Sequence, residues 1–252
     1  MCTDRTQIKD LCQLKCPKSG CHHCQSIRKG SFFQRSHYSI YQQMLIVSCF
    51  CEGMSVSTCH LDLGLSRERL TDYFDNLRGC YADDLEAIPI HFESLGPYEV
   101  DEFEIKHVET TSGGHANLWV QDIFERKTGL YWASIVPNRT GDVLISNIKD
   151  KIPSGSLIFS DDWASYRPLS SEGYRHYTVT HSKGEYARQE MIEQTLVHVH
   201  INTIEGLHRG LRQRVANKSR RNVERVKLIL SEFMYRHSGR SLWSPFKYWW
   251  DK

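Results

Sequence analysis

Three acidic residues that lie far apart in the sequence are the side chains best suited to chemistry. Asp101 is in the middle of residues 98–105, a segment that otherwise alternates with the period of a β-strand. A carboxylate there is costly unless it is solvated, paired or bound to a cation. Asp161 follows a short apolar run, and Glu205 ends the sequence NTIE. We therefore expect these three carboxylates to bind divalent metal together.

The donor atoms define the chemistry that such a site could perform. Oxygen ligands alone suit a hard ion such as Mg²⁺ or Mn²⁺. Three carboxylates can hold two such ions roughly 3.5–4 Å apart, one activating the attacking oxygen and one stabilising the leaving oxygen of a phosphodiester. Asp162 is the alternative to Asp161 as the second ligand. The acids therefore predict metal-dependent phosphodiester chemistry with two ions as the cofactor.

The third ligand has two candidates. Asn202 and Glu205 are three residues apart, so on a helix both side chains point to the same face. We prefer Glu205 because it is charged, and we place Asn202 next. The same pattern is also a capping box, in which Asn202 caps the helix, Glu205 is the third helical residue, and no metal is bound. Both interpretations remain open at the level of the sequence.

The elements that position these acids follow from hydrophobic periodicity. Residues 98–105, 117–124 and 130–136 predict a three-stranded meander. The later predicted elements are a helix near 141–151, strands at 157–159 and 176–179, and helices over 202–216 and 222–236. This order is that of an α/β, ribonuclease-H-like fold, which we place at residues 97–236.

Other side chains near the acids have two interpretations each. Trp163 and Tyr166 are expected in the core rather than stacked on bases. His198 and His200 alternate on one strand-like face, which is compatible with a soft-metal pair, but we favour surface histidines in an insertion over residues 183–200. Arg209 and Arg212 follow Glu205 by about one and two helical turns and are candidate phosphate contacts.

Residues 37–80 predict three helices. The first has Tyr41, Met44 and Leu45 at helical spacing, and Ser55 and Ser66 can cap the second and third. The third helix is expected to bury Leu70, Tyr73, Phe74 and Leu77. Arg67 and Arg69 remain on its outer face, so the region is typical of a helix-turn-helix that binds DNA. Any small three-helix bundle would give a similar pattern.

All nine cysteines lie in the first 80 residues. Within residues 1–36, four of them, Cys12, Cys16, Cys21 and Cys24, are packed into thirteen positions with two adjacent histidines. Tetrahedral zinc is usually held by four such ligands on two short knuckles. The second knuckle is present and the first is abbreviated, so the segment is either a truncated zinc ribbon or a reduced cysteine-rich tail without metal.

Charge is distributed unevenly although the net charge is only +2. Residues 81–109 carry nine acids against one base, and residues 207–227 carry eight bases against one acid. This pattern is compatible with a metal site beside a polyanion track, or with a solvated basic helix face. No apolar run reaches membrane-spanning length and no secretory signal is recognisable, so we expect an intracellular protein without a membrane partner.

Several strings in one order carry a family resemblance. They are residues 100–102 (VDE), 160–166 (SDDWASY), 173–182 (GYRHYTVTHS) and 202–207 (NTIEGL), with 26–33 (SIRKGSFF) upstream. They resemble the transposase domain of the IS1595 (ISXO2-like) insertion sequences and of the related eukaryotic Merlin elements. The resemblance runs from about residue 16 to residue 211.

The resemblance implies a DDE-type, metal-dependent enzyme that cuts DNA and transfers strands. It gives the first two ligand roles to Asp101 and Asp161 and the third to Asn202 or Glu205, since family members use either residue type there. It implies double-stranded DNA as the partner, as terminal inverted repeats and as target, and a homo-oligomer because two ends are joined. The expected location is the nucleus of a eukaryote or the cytoplasm and nucleoid of a prokaryote.

Departures from the family pattern leave two alternatives. Residues 108–114 replace a basic glycine-containing segment, and His208 stands where Trp is common. The chain could therefore be a decayed or host-adopted DNA-binding protein derived from a transposase, or a general nuclease of the same fold. Residues 237–252 are assigned to an aromatic C-terminal tail.

Overall fold

The computed structural model describes residues 2–4, 10, 12–34, 36–110, 112–180, 184–215 and 222–246. The chain divides into two compact units, one of residues 1–80 with 241–252 and the other of residues 81–240. Three predicted bases, Lys218, Arg220 and Arg221, lie outside the described residues, as does the end of the aromatic tail. Within the described residues, no helix combines the length and hydropathy that a membrane span requires.

The first unit begins with a small antiparallel sheet of order β1-β2-β3. Its strands are β1 (Cys2–Asp4), β2 (Cys12–Lys15) and β3 (Cys24–Ser26). Three helices follow, namely α1 (Ile40–Cys51), α2 (Val56–Leu63) and α3 (Arg67–Ala87), and the last residues of α3 belong to the second unit. The three predicted helices are thus present.

The buried face of α1 differs from the prediction. Tyr41 is 72% exposed and Met44 is 42% exposed, so the expected apolar stripe was wrong. A polar residue, Gln43, occupies the interior instead, because its amide donates to the Tyr38 carbonyl at 3.2 Å and accepts from the Tyr73 hydroxyl at 2.8 Å. Satisfied hydrogen bonds remove the cost of burying the amide.

The buried stripe of α3 is as predicted. Its four apolar residues, Leu70, Tyr73, Phe74 and Leu77, are all buried. Arg67 and Arg69 are exposed on the same helix. The alternation of buried and exposed positions follows the helical period, as expected for an amphipathic helix that covers a small core.

The second unit is built on a mixed five-stranded sheet of order β6-β5-β4-β7-β8. Its members are β4 (Tyr98–Glu109), β5 (His115–Glu125), β6 (Tyr131–Val136), β7 (Leu157–Asp161) and β8 (Arg175–Val179). The first three form the predicted meander, and β7 and β8 run parallel to β4. With α4 (Gly141–Lys151) in between, the α/β class is confirmed.

A hairpin precedes the last two helices of this unit. It consists of β9 (Ala187–Ile192) and β10 (Thr195–His200), joined by Glu193 and Gln194, both with positive φ. The hairpin leads into α5 (Asn202–Val215), and α6 (Val223–Arg236) follows. The helices match the predicted ones closely, whereas the hairpin was not predicted.

The two faces of the sheet carry separate apolar clusters. Phe103, Val120 and Phe159 pack with residues of α5 and α6. Val100, Ile123 and Ile158 pack with residues of α4. Because side chains alternate between faces along a strand, Asp101 and Asp161 share the face that α5 covers.

Candidate active site

The two predicted aspartates stand on neighbouring parallel strands. Glu99 of β4 is paired with Phe159 of β7, and Asp101 and Asp161 are each two residues further along their strands. Adjacent strands lie roughly 4.8 Å apart, so side chains in equivalent register on one face are neighbours. The Asp161 carboxylate also accepts a hydrogen bond of 3.0 Å from the Trp163 backbone N–H, which fixes the turn after β7. The sheet therefore brings the first two predicted ligands together.

Negative charge accumulates around Asp101. Its pKa is raised well above the ordinary value, first by burial and then by the carboxylates of Asp122, Glu102 and Asp161. One backbone N–H, that of Glu102, opposes this effect by donating to Asp101 at 2.8 Å. Within the described residues no arginine or lysine pairs with Asp101. A bound cation would relieve both the burial and the repulsion.

Three side chains that were not predicted as site residues, Asp122, Tyr131 and His208, are linked to one another beside Asp101. Asp122 is paired with Asp101 across β4 and β5 and is fully buried. Its carboxylate accepts from the Tyr131 hydroxyl at 2.8 Å and faces the Nε2 atom of His208 at 2.8 and 3.0 Å. Burial raises the pKa of Asp122, and His208 and Tyr131 oppose that shift. Asp122 is therefore already satisfied by protein groups.

Helix α5 carries the remaining predicted residues on its exposed side. Asn202, Glu205, Arg209 and Arg212 are all exposed, whereas Ile204, His208, Leu211 and Val215 are buried. Glu205, Arg209, Arg212 and Gln213 line a cavity of about 520 Å³. In the part of the chain that is described, no three His, Cys, Asp or Glu side chains converge closely enough to hold a metal ion. The third ligand stays a prediction.

A second acid of β4, Glu102, is neutralised on the opposite face. The Arg139 guanidinium binds it, with Nε 2.7 Å from Oε1, and the Tyr166 hydroxyl donates to Oε2 at 2.5 Å. Arg139 lies between two indole rings, 4.3 Å from Trp119 and 4.0 Å from Trp163. Tyr166 is buried as predicted, but Trp163 is 39% exposed, so its assignment to the core was wrong. Its ring stacks on a cation instead.

A third acid, Glu99, organises the start of α5. Its fully buried carboxylate accepts from Arg126 Nε at 2.6 Å and from the Ile204 backbone N–H at 2.9 Å. The other two nitrogens of Arg126 donate to the carbonyls of His198 and His200, each at 2.7 Å. One guanidinium thus connects β4, the hairpin and the first turn of α5.

Beneath Asp161, a histidine is held in its neutral form. His176 Nε2 is 2.8 Å from the Ser160 hydroxyl, and burial lowers the pKa of His176 to about 4. A neutral ring there adds no charge to the strand end that carries Asp161.

The cysteine-rich segment shows one close thiol pair. The pKa of Cys16 is lowered by a hydrogen bond from the Lys18 backbone and by its contact with the Cys21 thiol. Cys24 is exposed on β3, and the side chain of Cys12 lies outside what the structure describes. Two of the four predicted zinc ligands are therefore neighbours, and zinc binding stays a prediction.

The sequence profile of the ISXO2-like transposase domain matches residues 95–237. This match covers more than half of the chain and includes Asp101, Asp161, Asn202 and Glu205. The chain therefore belongs to the family of ISXO2-like transposase domains, as the resemblance indicated. No curated protein sequence matches the chain.

Two solved structures are among its neighbours. One is the catalytic core domain of BIV integrase, with 16% identity over 55% of this chain and 82% of that chain and a TM-score of 0.34. The other is the simian T-cell lymphotropic virus intasome in complex with PP2A regulatory subunit B56 gamma, with 14% identity over 77% of this chain and 67% of that chain and a TM-score of 0.34. The family assignment rests on the profile match alone.

Proposed function

We propose that the chain is a DDE-type DNA transposase, which hydrolyses the DNA at the ends of its element and joins the resulting 3′-hydroxyl to target DNA. The observation that carries the proposal is the pair Asp101 and Asp161 on neighbouring parallel strands. Both lie in a domain of the transposase family, on the sheet face that α5 covers. The predicted ribonuclease-H-like order of strands and helices supports the same assignment.

The carboxylate oxygens around Asp101 are donors of the type that a divalent cation binds. Bound Mg²⁺ or Mn²⁺, two ions in the predicted site, would activate the attacking oxygen and stabilise the leaving oxygen of the phosphodiester. Asp101 and Asp161 would hold these ions, with Glu205, or Asn202 in its place, contributed by α5. Burial and then the surrounding carboxylates raise the pKa of Asp101, and a bound cation would offset both.

Exposed arginines are the proposed contacts to DNA. Arg209 and Arg212 lie beside Glu205 on α5, where they would bind the phosphates that flank the scissile bond. Arg67 and Arg69 on α3 would contact double-stranded terminal repeats in a helix-turn-helix mode. Joining two ends requires a homo-oligomer on DNA. Cleavage and strand transfer would take place in the nucleus of a eukaryote or the nucleoid of a prokaryote.

Neighbouring aspartates provide a matched test. Asp161→Asn should abolish Mg²⁺-dependent cleavage of DNA taken from the ends of the encoding element, because it removes a ligand. Asp162→Asn changes an exposed neighbour and should retain cleavage within a fewfold. The measurement is the yield of nicked and joined products with Mg²⁺ and with Mn²⁺. Equal cleavage by both variants would contradict the proposed site, and cleavage without joined products would indicate a general nuclease.

A second candidate is a DNA-binding protein derived from a transposase that no longer cuts. Glu205 is exposed, and no three ligands converge in the described residues, which favours this alternative. It predicts that wild-type protein binds the element ends with no cleavage in either metal ion and that Asp161→Asn leaves binding unchanged.

A further inference from the structure

One residue of α5, His208, lies beside Asp101. Its Nδ1 atom is 3.8 Å from Asp101 Oδ2. The ring is buried, and it packs against Phe103 with centroids 4.4 Å apart. Glu205, one turn earlier, lies on the exposed side of the same helix. The helix thus presents an imidazole to the first aspartate.

Asp122 fixes the orientation of that imidazole. Both carboxylate oxygens lie within 3.0 Å of His208 Nε2, and the Tyr131 hydroxyl holds the carboxylate from the other side. A carboxylate at Nε2 assigns the proton to that nitrogen, so the lone pair is on Nδ1. Within the described residues Nδ1 makes no hydrogen bond. It is an acceptor atom on a buried ring, and it faces Asp101.

The separation of the two atoms is shorter than the largest distance between two ligands of one ion. A distance of 3.8 Å is too long for a hydrogen bond. Two ligand atoms that are each roughly 2.1 Å from a common ion are separated by at most about 4.2 Å. A carboxylate–histidine–metal arrangement is also the usual way in which proteins orient an imidazole ligand.

We propose that His208 Nδ1 is a ligand of the metal ion that Asp101 binds, and that Asp122 and Tyr131 hold the ring in place for it. This assignment rests on the proposed function and adds to it the identity of a protein ligand on α5. Imidazole suits transition metals better than Mg²⁺. The site should therefore bind Mn²⁺ in preference to Mg²⁺.

The ring could instead be an imidazolium that pairs with both aspartates, and a metal-binding experiment separates the two roles. The full chain is titrated with Mn²⁺ alone, and bound Mn²⁺ is examined by pulsed electron paramagnetic resonance for coupling to a directly bound nitrogen. We expect nitrogen coupling in the wild-type protein. In His208→Gln the amide replaces Nε2 and can keep the contact to Asp122, so the coupling should disappear and the affinity should fall by about 10–100-fold.

The outcomes separate this proposal from the proposed function. Loss of Mn²⁺ binding in Asp101→Asn, together with wild-type binding that lacks nitrogen coupling, would overturn the role of His208 and leave the Asp101 site intact. Absence of any binding that depends on Asp101 would overturn both. If His208→Gln does not fold, the same resonance experiment is carried out on wild-type protein labelled with ¹⁵N-histidine. Coupling of bound Mn²⁺ to ¹⁵N supports the proposal, and its absence contradicts it.

Discussion

Two of the acids on β4 are neutralised by arginine, and a third is not. Glu99 pairs with Arg126, and Glu102 pairs with Arg139. Asp101 lies between them in the sequence and faces Asp122 and Asp161 instead, and its pKa is raised. A buried acid with a guanidinium partner holds the fold together, because both charges are satisfied within the chain. A half-buried acid beside other acids is the arrangement that the proposed cation site requires.

Removing an arginine partner should have the largest effect on stability. Arg126→Met leaves the fully buried Glu99 carboxylate without its cation and removes donors from two hairpin carbonyls. We expect the free energy of unfolding to fall by about 3–5 kcal/mol, the usual cost of breaking a buried pair. Urea unfolding measures it. The control Lys149→Met, in an exposed pair with Glu172, should leave the midpoint unchanged, and equal losses would contradict the structural role of Arg126.

Removing a neutral donor to a buried acid should have an intermediate effect. Tyr131→Phe deletes the hydroxyl that donates to Asp122, and hydrogen bonds to charged groups contribute about 1.5–3 kcal/mol. Tyr174→Phe is the matched control, because that hydroxyl donates to an uncharged backbone carbonyl, of Ile152. Urea unfolding of both variants should give the larger loss for Tyr131→Phe. The reverse order would show that Asp122 is not charged in the folded protein.

Neutralising Asp101 should stabilise the chain and abolish its activity. Because the pKa of Asp101 is raised by folding, the folded state binds the proton more tightly, and stability falls as pH rises above the ordinary value of 3.8. Asp101→Asn removes that penalty, so we expect roughly 1 kcal/mol more stability than wild type at neutral pH, a shift of about 2–4 °C in Tm. The gain should shrink towards pH 4.

The control for this variant is Glu104→Gln, at a half-buried acid of the same strand that pairs with Lys106. Its Tm should follow that of the wild type at every pH. Added Mn²⁺ should raise the Tm of wild-type protein and not that of Asp101→Asn, since a ligand stabilises only the state that binds it. A lower Tm for Asp101→Asn at neutral pH would contradict the distinction between this acid and its two neighbours.

The smallest effect concerns two exposed arginines of α5. Arg209 and Arg212 are exposed, and Arg212 also lies over the Phe103 ring at 5.2 Å, so changing either to Gln should lower the free energy of unfolding by no more than about 1 kcal/mol. If each contacts one phosphate, each change should reduce the slope of log K against log salt by about 0.9. DNA binding at several salt concentrations measures this slope. Lys149→Gln, on the opposite face of the sheet, should not change it.

The sequence predicted those parts of the site that depend on local pattern. A strand period interrupted by one acid located Asp101, and an apolar run that ends in an acid located Asp161. The helix predicted near 141–151 has those limits in the structure, Gly141–Lys151, because its periodic pattern is followed directly by Pro153, a helix breaker.

The contacts that the sequence analysis did not predict join residues that are distant in the sequence. Arg126 and Arg139 are 27 and 37 residues from the glutamates they neutralise, and no local pattern marks such pairs. His208 was available to inspection, since it occupies the buried stripe of α5 between Ile204 and Leu211. A histidine in that stripe, and an aspartate in the apolar strand β5, together indicated a buried polar contact.

The hairpin of β9 and β10 was missed because its turn lacks the usual residues. Two-residue turns with positive φ at both positions favour Asn and Gly, whereas this one uses Glu193 and Gln194. Its strands alternate in burial, but the turn gives no signal in the sequence.

The contacts of Arg126 have a mechanical consequence for this hairpin. The same guanidinium holds two carbonyls of β10 and the Glu99 carboxylate, and that carboxylate also binds the Ile204 N–H in the first turn of α5. A ligand that moves β10 therefore disturbs the Arg126–Glu99 pair. It thereby weakens the hydrogen bond between Glu99 and the first turn of α5, the helix that bears Asn202 and Glu205. The hairpin is therefore connected to the helix that carries the proposed third ligand.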